Sequence, residues 1–392
     1  NTGDVNAGLF FSAADVMSFS AGGTAQFTMA DGSISPVTDN DIDLGTASLK
    51  YKSFFAGLVD SENFKINGGQ GDDGQVLTST GSGVAWEAAS GGATDINGLS
   101  DAKTFGTSSI MLGDATTGTI DGANYNTGLG IDVFAALTTG DNNVAVGFAA
   151  LDANTTAANN TAIGSQALTA TTTGSNNTAV GQDAGLAITT GAHNVTIGTK
   201  SQMTNTTGNY NVSIGKESLK LLTTASNNTA LGYVTLQATT TGADNTAVGA
   251  NALQANTTGH SNTAVGKKAL LVSTTGSYNT AVGWEAGVGI TSGQSNTLMG
   301  QATGAGITDG ESNAFFGMQA GYATTTGDSN TFLGFRAGDA NTTGSTNTAV
   351  GRDALSAATT VSSQTAIGYE ALKVQHTNGN NTAVGYQAGL TV

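Results

Sequence analysis

The sequence predicts an all-β protein: a parallel β-solenoid, or β-roll, of 17-residue coils behind a small N-terminal β module. Three observations carry that prediction. A glycine returns at every seventeenth position from Gly113 to Gly385, 17 times, with no insertion or deletion. The residue four before it is Asn in 15 of the 17 copies, Ser109 and Gln364 being the exceptions, and the residue one before it is always apolar. Glycine supplies 57 of 392 residues, proline one, and charged residues only 10%.

Each coil follows from its own residues. The stretch "NNTAVGQDAGLAITTGAHNVTIG" (176–198) holds two copies of a short run with a two-residue period, rich in small and β-branched side chains and closed by glycine. Such a run reads as a very short strand. A repeat of 17 residues is too short for a helix hairpin, which excludes a helical solenoid. Stacked strands lie about 4.8 Å apart, so the array makes a rod on the order of 80 Å long. Every residue then stands over its own equivalent in the next coil. The Asn column, including Asn143, Asn160, Asn177, Asn194, Asn211, Asn228, Asn245, Asn262 and Asn279, is expected to run as a side-chain ladder at a buried corner. Glycine at the repeat's end, and again ten residues later in most copies (Gly140, Gly174, Gly191, Gly208), supplies positive φ or close backbone approach.

The interior of one coil is expected to hold a few apolar side chains, with Val180, Ala184 and Leu186 as the example set. That is little burial against the entropy of ordering a coil. Alternate strand residues face opposite sides. Both Ala179, two before the glycine, and Val180, one before it, are apolar, so one of the two faces wants a partner. Small Ala would allow chains to approach closely around a shared axis, and a homotrimer fits this best. Around Gly300, Gly317 and Gly334 the usual Ala is replaced by Leu298, Phe315 and Phe332, while Gly304, Gly321 and Gly338 stand four after the repeat glycine. Bulk in one column matched by glycine in another reads as volume compensation.

Ahead of the array, residues 1–65 show short apolar pieces ("GLFFS", "VMSFS", "AQFTMA", "KSFFAGL") separated by turn residues, which suggests a small all-β module. Residues 66–103 are rich in Gly, Ser and Asp and read as a linker with short strands; Trp86, its one large side chain, reads as a packing residue. Residues 104–392 are the solenoid. Asn1 and the final "YQAGLTV" read as processing or truncation points of something longer.

Composition excludes several classes. The net charge is −16 with 12 Lys+Arg and no basic cluster, so nucleic acid is not an expected partner. No apolar run reaches the roughly 18 residues a spanning helix needs, so membrane insertion is not expected. Cysteine is absent, leaving packing and hydrogen bonds to hold the fold.

The "NTAVG" and "NVSIG" strings resemble the head repeats of trimeric autotransporter adhesins, which form trimeric left-handed parallel β-rolls. They resemble still more the "NTAVGYQAG" and "TTGSNNTAVG" arrays of phage tail fibres. Two N-terminal stretches favour the latter: "DIDLGTASLKYKSFFAG" (Asp41–Gly57) is similar to shaft elements of such fibres, and "DDGQVLTSTGSGVAWEAA" (Asp72–Ala89) with "DINGLSDA" (Asp95–Ala102) is similar to their linkers. The resemblance implies an extracellular structural segment of a virion tail fibre. Its partners would be its own copies, other tail or fibre proteins at the N-terminal end, and a host surface glycan or protein. A bacterial cell-surface trimeric adhesin is the alternative, and a polysaccharide depolymerase a third class. Family repeats vary in length, whereas these hold to 17.

The candidate contact residues stand directly after the repeat glycine: Phe148, Tyr233, Trp284, Phe335, Tyr369 and Tyr386, interleaved with Lys216, Lys267 and Arg352. Outward aromatics stack on sugar faces or on cations, which makes this column a candidate glycan strip; rim packing against a neighbouring chain is the competing reading. One column further, Asp183, Lys200, Glu217, Lys268, Glu285, Arg336, Asp353 and Glu370 can form ion pairs between rungs. Asp353 and Glu370 would have the spacing of glycosidase carboxylates if the rungs stack, but a flat wall gives neither a cleft nor a reason for a raised pKa. No enzymatic activity and no cofactor are expected. Nor is a metal site: the aspartates lack the nonapeptide period, and His193, His260 and His376 fall in three different columns. Adjacent Thr-Thr pairs fit a turn better than the alternating Thr face of ice-binding solenoids.

Overall fold

The structure is a computed structural model. It describes residues 8–13, 16–21, 24–30, 33–36, 65–66, 69–70, 75–79, 84–88, 102–105, 108–113, 122–374 and 379–390. The chain divides into two compact units, Asn1–Ala89 and Ser90–Val392.

In the first unit, Gly8–Ala13, Val16–Ala21, Thr24–Ala30 and Ser33–Pro36 form an antiparallel meander, each strand paired with the next. Three of the short apolar pieces are these strands. Gln75–Ser79 pairs antiparallel with Val84–Ala88, setting Leu77 opposite Trp86. "KSFFAGL" and the whole of Asp41–Gly57 lie outside the described residues, as does "DINGLSDA" except Ala102.

The second unit is a parallel β-solenoid. From Ser109–Gly113 to Thr382–Val384, 17 strands pair in sequence order, each in parallel with the next. The register is one repeat: Val180 pairs with Ile197, and Thr229 with Thr246. No helix forms among the described residues. Ala102–Phe105 pairs antiparallel with Ser109–Gly113, so the first parallel strand has its outer edge covered.

Most strands are three residues long because the coil must turn on both sides. The turn after the strand is set by the repeat glycine, whose φ lies between +125° and +143° in every copy. A Cβ on Gly181 would stand 2.8 Å from the carbonyl carbon of Gly198, so conformation and crowding both demand glycine. The glycine ten residues later is needed for crowding alone. On Gly276 a Cβ would meet the Gly293 carbonyl oxygen at 2.5 Å, yet its φ is not in the left-handed region.

The Asn ladder is realised, and it binds backbone more than side chain. The Oδ1 of Asn228 accepts the N–H of Asn245 at 3.1 Å, and that of Asn245 the N–H of Asn262 at 3.0 Å. The chain of bonds runs unbroken from Ser109, whose Oγ accepts the Asn126 N–H at 2.9 Å, to Gln364, whose N–H reaches Asn347 Oδ1 at 2.9 Å. Each Nδ2 also donates to the carbonyl 14 residues on, as Asn245 does to Gly259 at 2.9 Å. These groups are fully buried, so the ladder satisfies corner amides that would otherwise lack partners. A second ladder lies on another corner: Thr138 Oγ1 donates to Thr155 O at 2.8 Å, and the pattern repeats rung by rung to Thr342 and Thr359.

The interior corrects one expectation. Ala179 is fully buried, whereas Val180 is half-buried and turned outward. The middle residue of each three-residue strand points in, so the valine column cannot fill the core and the alanine column cannot line an axis between chains. Of the example set only Ala184 is buried; Leu186 is half-buried, and Ile188 takes the inward place. The core is therefore built from Ala179-type, Ala184-type and Leu168-type positions, closed by the residue seven after the glycine, such as Ile188.

That core is divided. One apolar cluster runs from Phe105 to Ile188 and a second from Leu219 to Ala383. Between them the inward residues are Thr196, Ser201, Gln202, Asn205, Ser213 and Ser218, all buried. Ser201 and Ser213 share a hydroxyl hydrogen bond at 2.5 Å, Ser213 donates to Ser218 O at 2.9 Å, and Asn205 Nδ2 donates to Gln202 Oε1 at 3.1 Å. Thr196 Oγ1 is buried without a partner.

Candidate functional site

The outer face of the solenoid sheet is built from the first and last residues of each strand. The first is mostly Thr and half-buried; the last is the invariant apolar position. Leu129, Ile163, Leu231, Met299, Leu333, Ile367 and Val384 are exposed there, and their equivalents are half-buried. The result is an apolar ridge one side chain wide, repeated on every rung. Contiguous exposed apolar surface is the kind of surface that interaction faces present.

Beside it, past the repeat glycine, stands the aromatic column. Phe148, Tyr233, Trp284, Phe335 and Tyr386 are exposed, and Tyr369 is half-buried. The six do not act as one strip. Phe148, Tyr233 and Trp284 are separated by three or more coils. Phe335, Arg352, Tyr369 and Tyr386 occupy four successive rungs and stack. The Arg352 guanidinium lies 5.6 Å from the Phe335 ring centroid and 5.9 Å from that of Tyr369, and Tyr369 stacks on Tyr386 at 5.2 Å. This is a continuous cation–π and π–π ladder.

A second aromatic column escaped the sequence reading. Tyr125, Tyr210 and Tyr278 stand five before the repeat glycine, are exposed, and hold left-handed φ values of 57°, 57° and 60°. Tyr210 stacks on His193 at 5.0 Å, and Tyr278 meets His260 edge-on at 4.8 Å. The signal available was the seventeen-residue offset between His193 and Tyr210; the left-handed corner that turns both outward was not visible in the residues. His376 lies outside the described residues.

Among the described residues the charged column forms one ion pair between rungs, Lys268 with Glu285 at 3.3 Å, while Glu217 and Glu370 accept from Gln237 and Gln387 of the following rungs, each at 2.8 Å. Other charges pair within a coil or with a sequence neighbour: Lys220 with Glu217 at 3.3 Å, Arg336 with Asp339 at 2.7 Å, Arg352 with Asp353 at 3.1 Å, and Lys373 with Glu370. The hydrogen bond from Lys373, then that from Gln387, holds the Glu370 carboxyl below its usual range. Glu370 is thus kept as an anion, the opposite of what a general acid needs, and Asp353 is buried beside Arg352. Burial, then the neighbouring Asp132, pushes Asp152 up, and burial pushes Asp339 up against its bond to Arg336. Among the described residues no group of three or more His, Asp or Glu side chains is placed to hold a metal ion, and no helix is long and apolar enough to cross a membrane.

The fold defines the chain as a β-solenoid repeat protein of 17-residue coils. No family model matches the sequence, and no curated protein or solved structure matches it either.

Proposed function

We propose that this chain is a structural segment of an extracellular fibre, best read as part of a phage tail fibre. It assembles as a homotrimer and extends receptor-contacting surface toward a host. The apolar ridge carries this reading. Its valine, isoleucine and leucine side chains are turned outward on every rung, and three copies meeting along a common axis would cover them. The axis is lined by the valine column rather than by alanine. The backbone ladders favour a mechanical role, since each coil is tied to the next by the same bonds. Neither catalysis nor a cofactor enters this reading. Contact with a host glycan or protein is assigned to the aromatic column, and tail or fibre proteins to the N-terminal end.

Sedimentation equilibrium of the purified chain tests the assembly: three times the chain mass is expected. Ile197→Asp with Ile214→Asp should give monomers that keep their β circular dichroism. A wild-type monomer would refute the reading. Electron micrographs of the assembled particle would place the rod on a tail. The "NVSIG" strings also favour a cell-surface trimeric adhesin; a membrane anchor encoded downstream would select that alternative, and a chaperone domain or adjacent baseplate genes the phage.

A further inference from the structure

Between Trp284 and Tyr322 the wall of the solenoid opens into a groove of about 490 Å3. The sequence explains its place. Five and six after the repeat glycine, other coils carry pairs such as Leu271-Val272, Lys220-Leu221 or Gln254-Ala255, whereas this coil carries Ala305-Gly306. Gly306 is held to glycine by backbone: a Cβ there would lie 2.9 Å from Tyr322 O and 3.0 Å from Thr324 O. Ala302 completes a small-residue floor. Trp284 belongs to the preceding coil and Tyr322 to the following one, and both rings are about half exposed, at 46% and 48%. The smallest stretch of wall thus lies between two of the largest side chains. Gln301, Gln319 and Glu285 supply the polar lining.

We infer that this groove is a binding subsite for an uncharged pyranose. The volume lies within the usual range for small-ligand sites, about 300–1,000 Å3. Two half-exposed aromatic rings, Trp284 and Tyr322, offer apolar surface for the C–H side of a sugar ring. Two amides give donors and acceptors together, and the Glu285 carboxylate accepts, which suits vicinal hydroxyls that donate and accept at once. Glu285 is paired with Lys268 at 3.3 Å. No cation lines the groove and the chain carries −16, so sulfated or uronic sugars are disfavoured. The inference deepens the surface-contact part of the fibre reading and rests on this wall being reachable in the assembly.

The test uses the full chain. Its two tryptophans are Trp86 and Trp284, so Trp86→Phe leaves Trp284 as the only indole reporter. The probes are the methyl glycosides of glucose, galactose and N-acetylglucosamine, with dextran as a polymer and heparin as the anionic control. Saturation-transfer NMR on the unmodified chain gives a second readout. At least one uncharged probe should change Trp284 fluorescence saturably. Ala305→Leu should weaken that binding about tenfold or more. It fills the groove with a side chain the same column already accepts at Leu271 and Leu186, so folding is expected to survive, and an unchanged melting temperature checks this. Leu221→Ala, exposed in the Gly306 column five coils away, should bind as wild type. Binding to none of the uncharged probes, binding to heparin alone, or equal binding by Ala305→Leu would each overturn the inference. Sedimentation of the same samples separates the two readings. A monomer that binds sugar removes the fibre and keeps the groove; a trimer that binds none does the reverse.

Discussion

Phe315 occupies the space that Gly321 leaves: a Cβ on Gly321 would run into the Phe315 ring, although the two residues stand on opposite sides of one coil. Phe332 and Gly338 repeat the arrangement one rung on, with the two rings stacked at 4.7 Å. Seven other coils hold Ala and Leu at the same two positions, as in Ala264 and Leu270, and where Gly287 accompanies Ala281 the space is taken by Leu298, Leu270 and Ile290. At the other end of the array the exchange is reversed: Gly128 takes the strand position and Phe134 the far one, with a Cβ on Gly128 placed 3.2 Å from the Phe134 ring. The coil therefore conserves volume rather than residue type. Phe315→Ala alone should lose about 3–5 kcal/mol by leaving a cavity. Gly321→Leu alone should lose at least about 1–3 kcal/mol through overpacking. The double variant should return to within about 0.5–1.5 kcal/mol of wild type, the residue being the lost ring stacking. The backbone permits it, because Leu253 holds φ 49° where Gly321 holds 57°. Denaturant melts of the four proteins give the coupling; additive losses would contradict it.

The Asn ladder makes a sharper demand. Asn245→Ala would leave the Asn262 N–H buried without its partner and remove one of two donors to the Gly259 carbonyl, which keeps Asn256 Nδ2 at 3.0 Å. The orphan costs about 1–3 kcal/mol and the other lost bond about 0.5–1.5 kcal/mol, so a loss of about 1.5–4.5 kcal/mol is expected. Asn245→Asp keeps the acceptor and replaces the donor with charge beside the Gly259 carbonyl. Burial raises such a carboxyl above its unfolded value. Its neutral form is the better tolerated one, so this variant should be least stable at neutral pH and regain stability on acidification. Thermal melts across the acid range check both.

Thr196 sits in the polar band between the two apolar clusters, and its hydroxyl has no partner. Thr196→Val removes a buried unsatisfied group without changing shape and should stabilise by about 1 kcal/mol or more. Ser213→Ala, one rung away, should do the opposite, since it removes the hydroxyl's bonds to Ser201 and to the Ser218 carbonyl, worth about 0.5–1.5 kcal/mol each; Ser201 Oγ keeps the Ser213 carbonyl at 3.2 Å, and the Ser218 carbonyl keeps the Gln202 N–H at 3.0 Å. A pair of opposite signs in chemical denaturation is the expected result. Equal losses would mean that Thr196 has found a water.

The coil length, the strand, the repeat glycine and the Asn column were legible because each is a single residue type held in one column, as at Gly181 and Asn177. The facing of Val180 and Ala179 was not. Alternation says that they differ, but which one points inward depends on the far side of the coil. There Leu168, Leu236 and Leu253 turn inward through φ values of 49–52°, a conformation that leucine rarely adopts. No propensity argument places leucine there; only the closure of a 17-residue loop does. The same left-handed corners carry Asp183, Lys200 and Glu217, which is why their expected rung-to-rung pairs are replaced in part by pairs within the coil, such as Glu217 with Lys220. The groove beside Trp284 was not legible, because its signal is the smallness of Ala305 and Gly306 rather than any large or charged side chain.

Two carboxylates give opposite pH signatures. Asp152 is raised by burial and by Asp132, so the folded state binds its proton more readily than the unfolded chain does. Its contribution is favourable below the unfolded value and is lost as pH rises through the folded one. Asp152→Asn should therefore raise the melting temperature at neutral pH, with the gain vanishing on acidification; Asp132→Asn should give part of the same gain. Glu370 is lowered by Lys373 and Gln387, so its contribution is present above the unfolded value and lost as pH falls through the folded one. Glu370→Gln should lower the melting temperature slightly at neutral pH, because the Lys373 side of the pair is open to solvent and screened, and match wild type in acid. Adding salt should shrink the Glu370 effect through screening, while leaving most of the Asp152 effect, whose larger cause is desolvation. Melting curves at two pH values and two ionic strengths separate the pair. A gain at neutral pH from both substitutions would show that net charge of the chain, rather than the local surroundings of each carboxylate, sets the response.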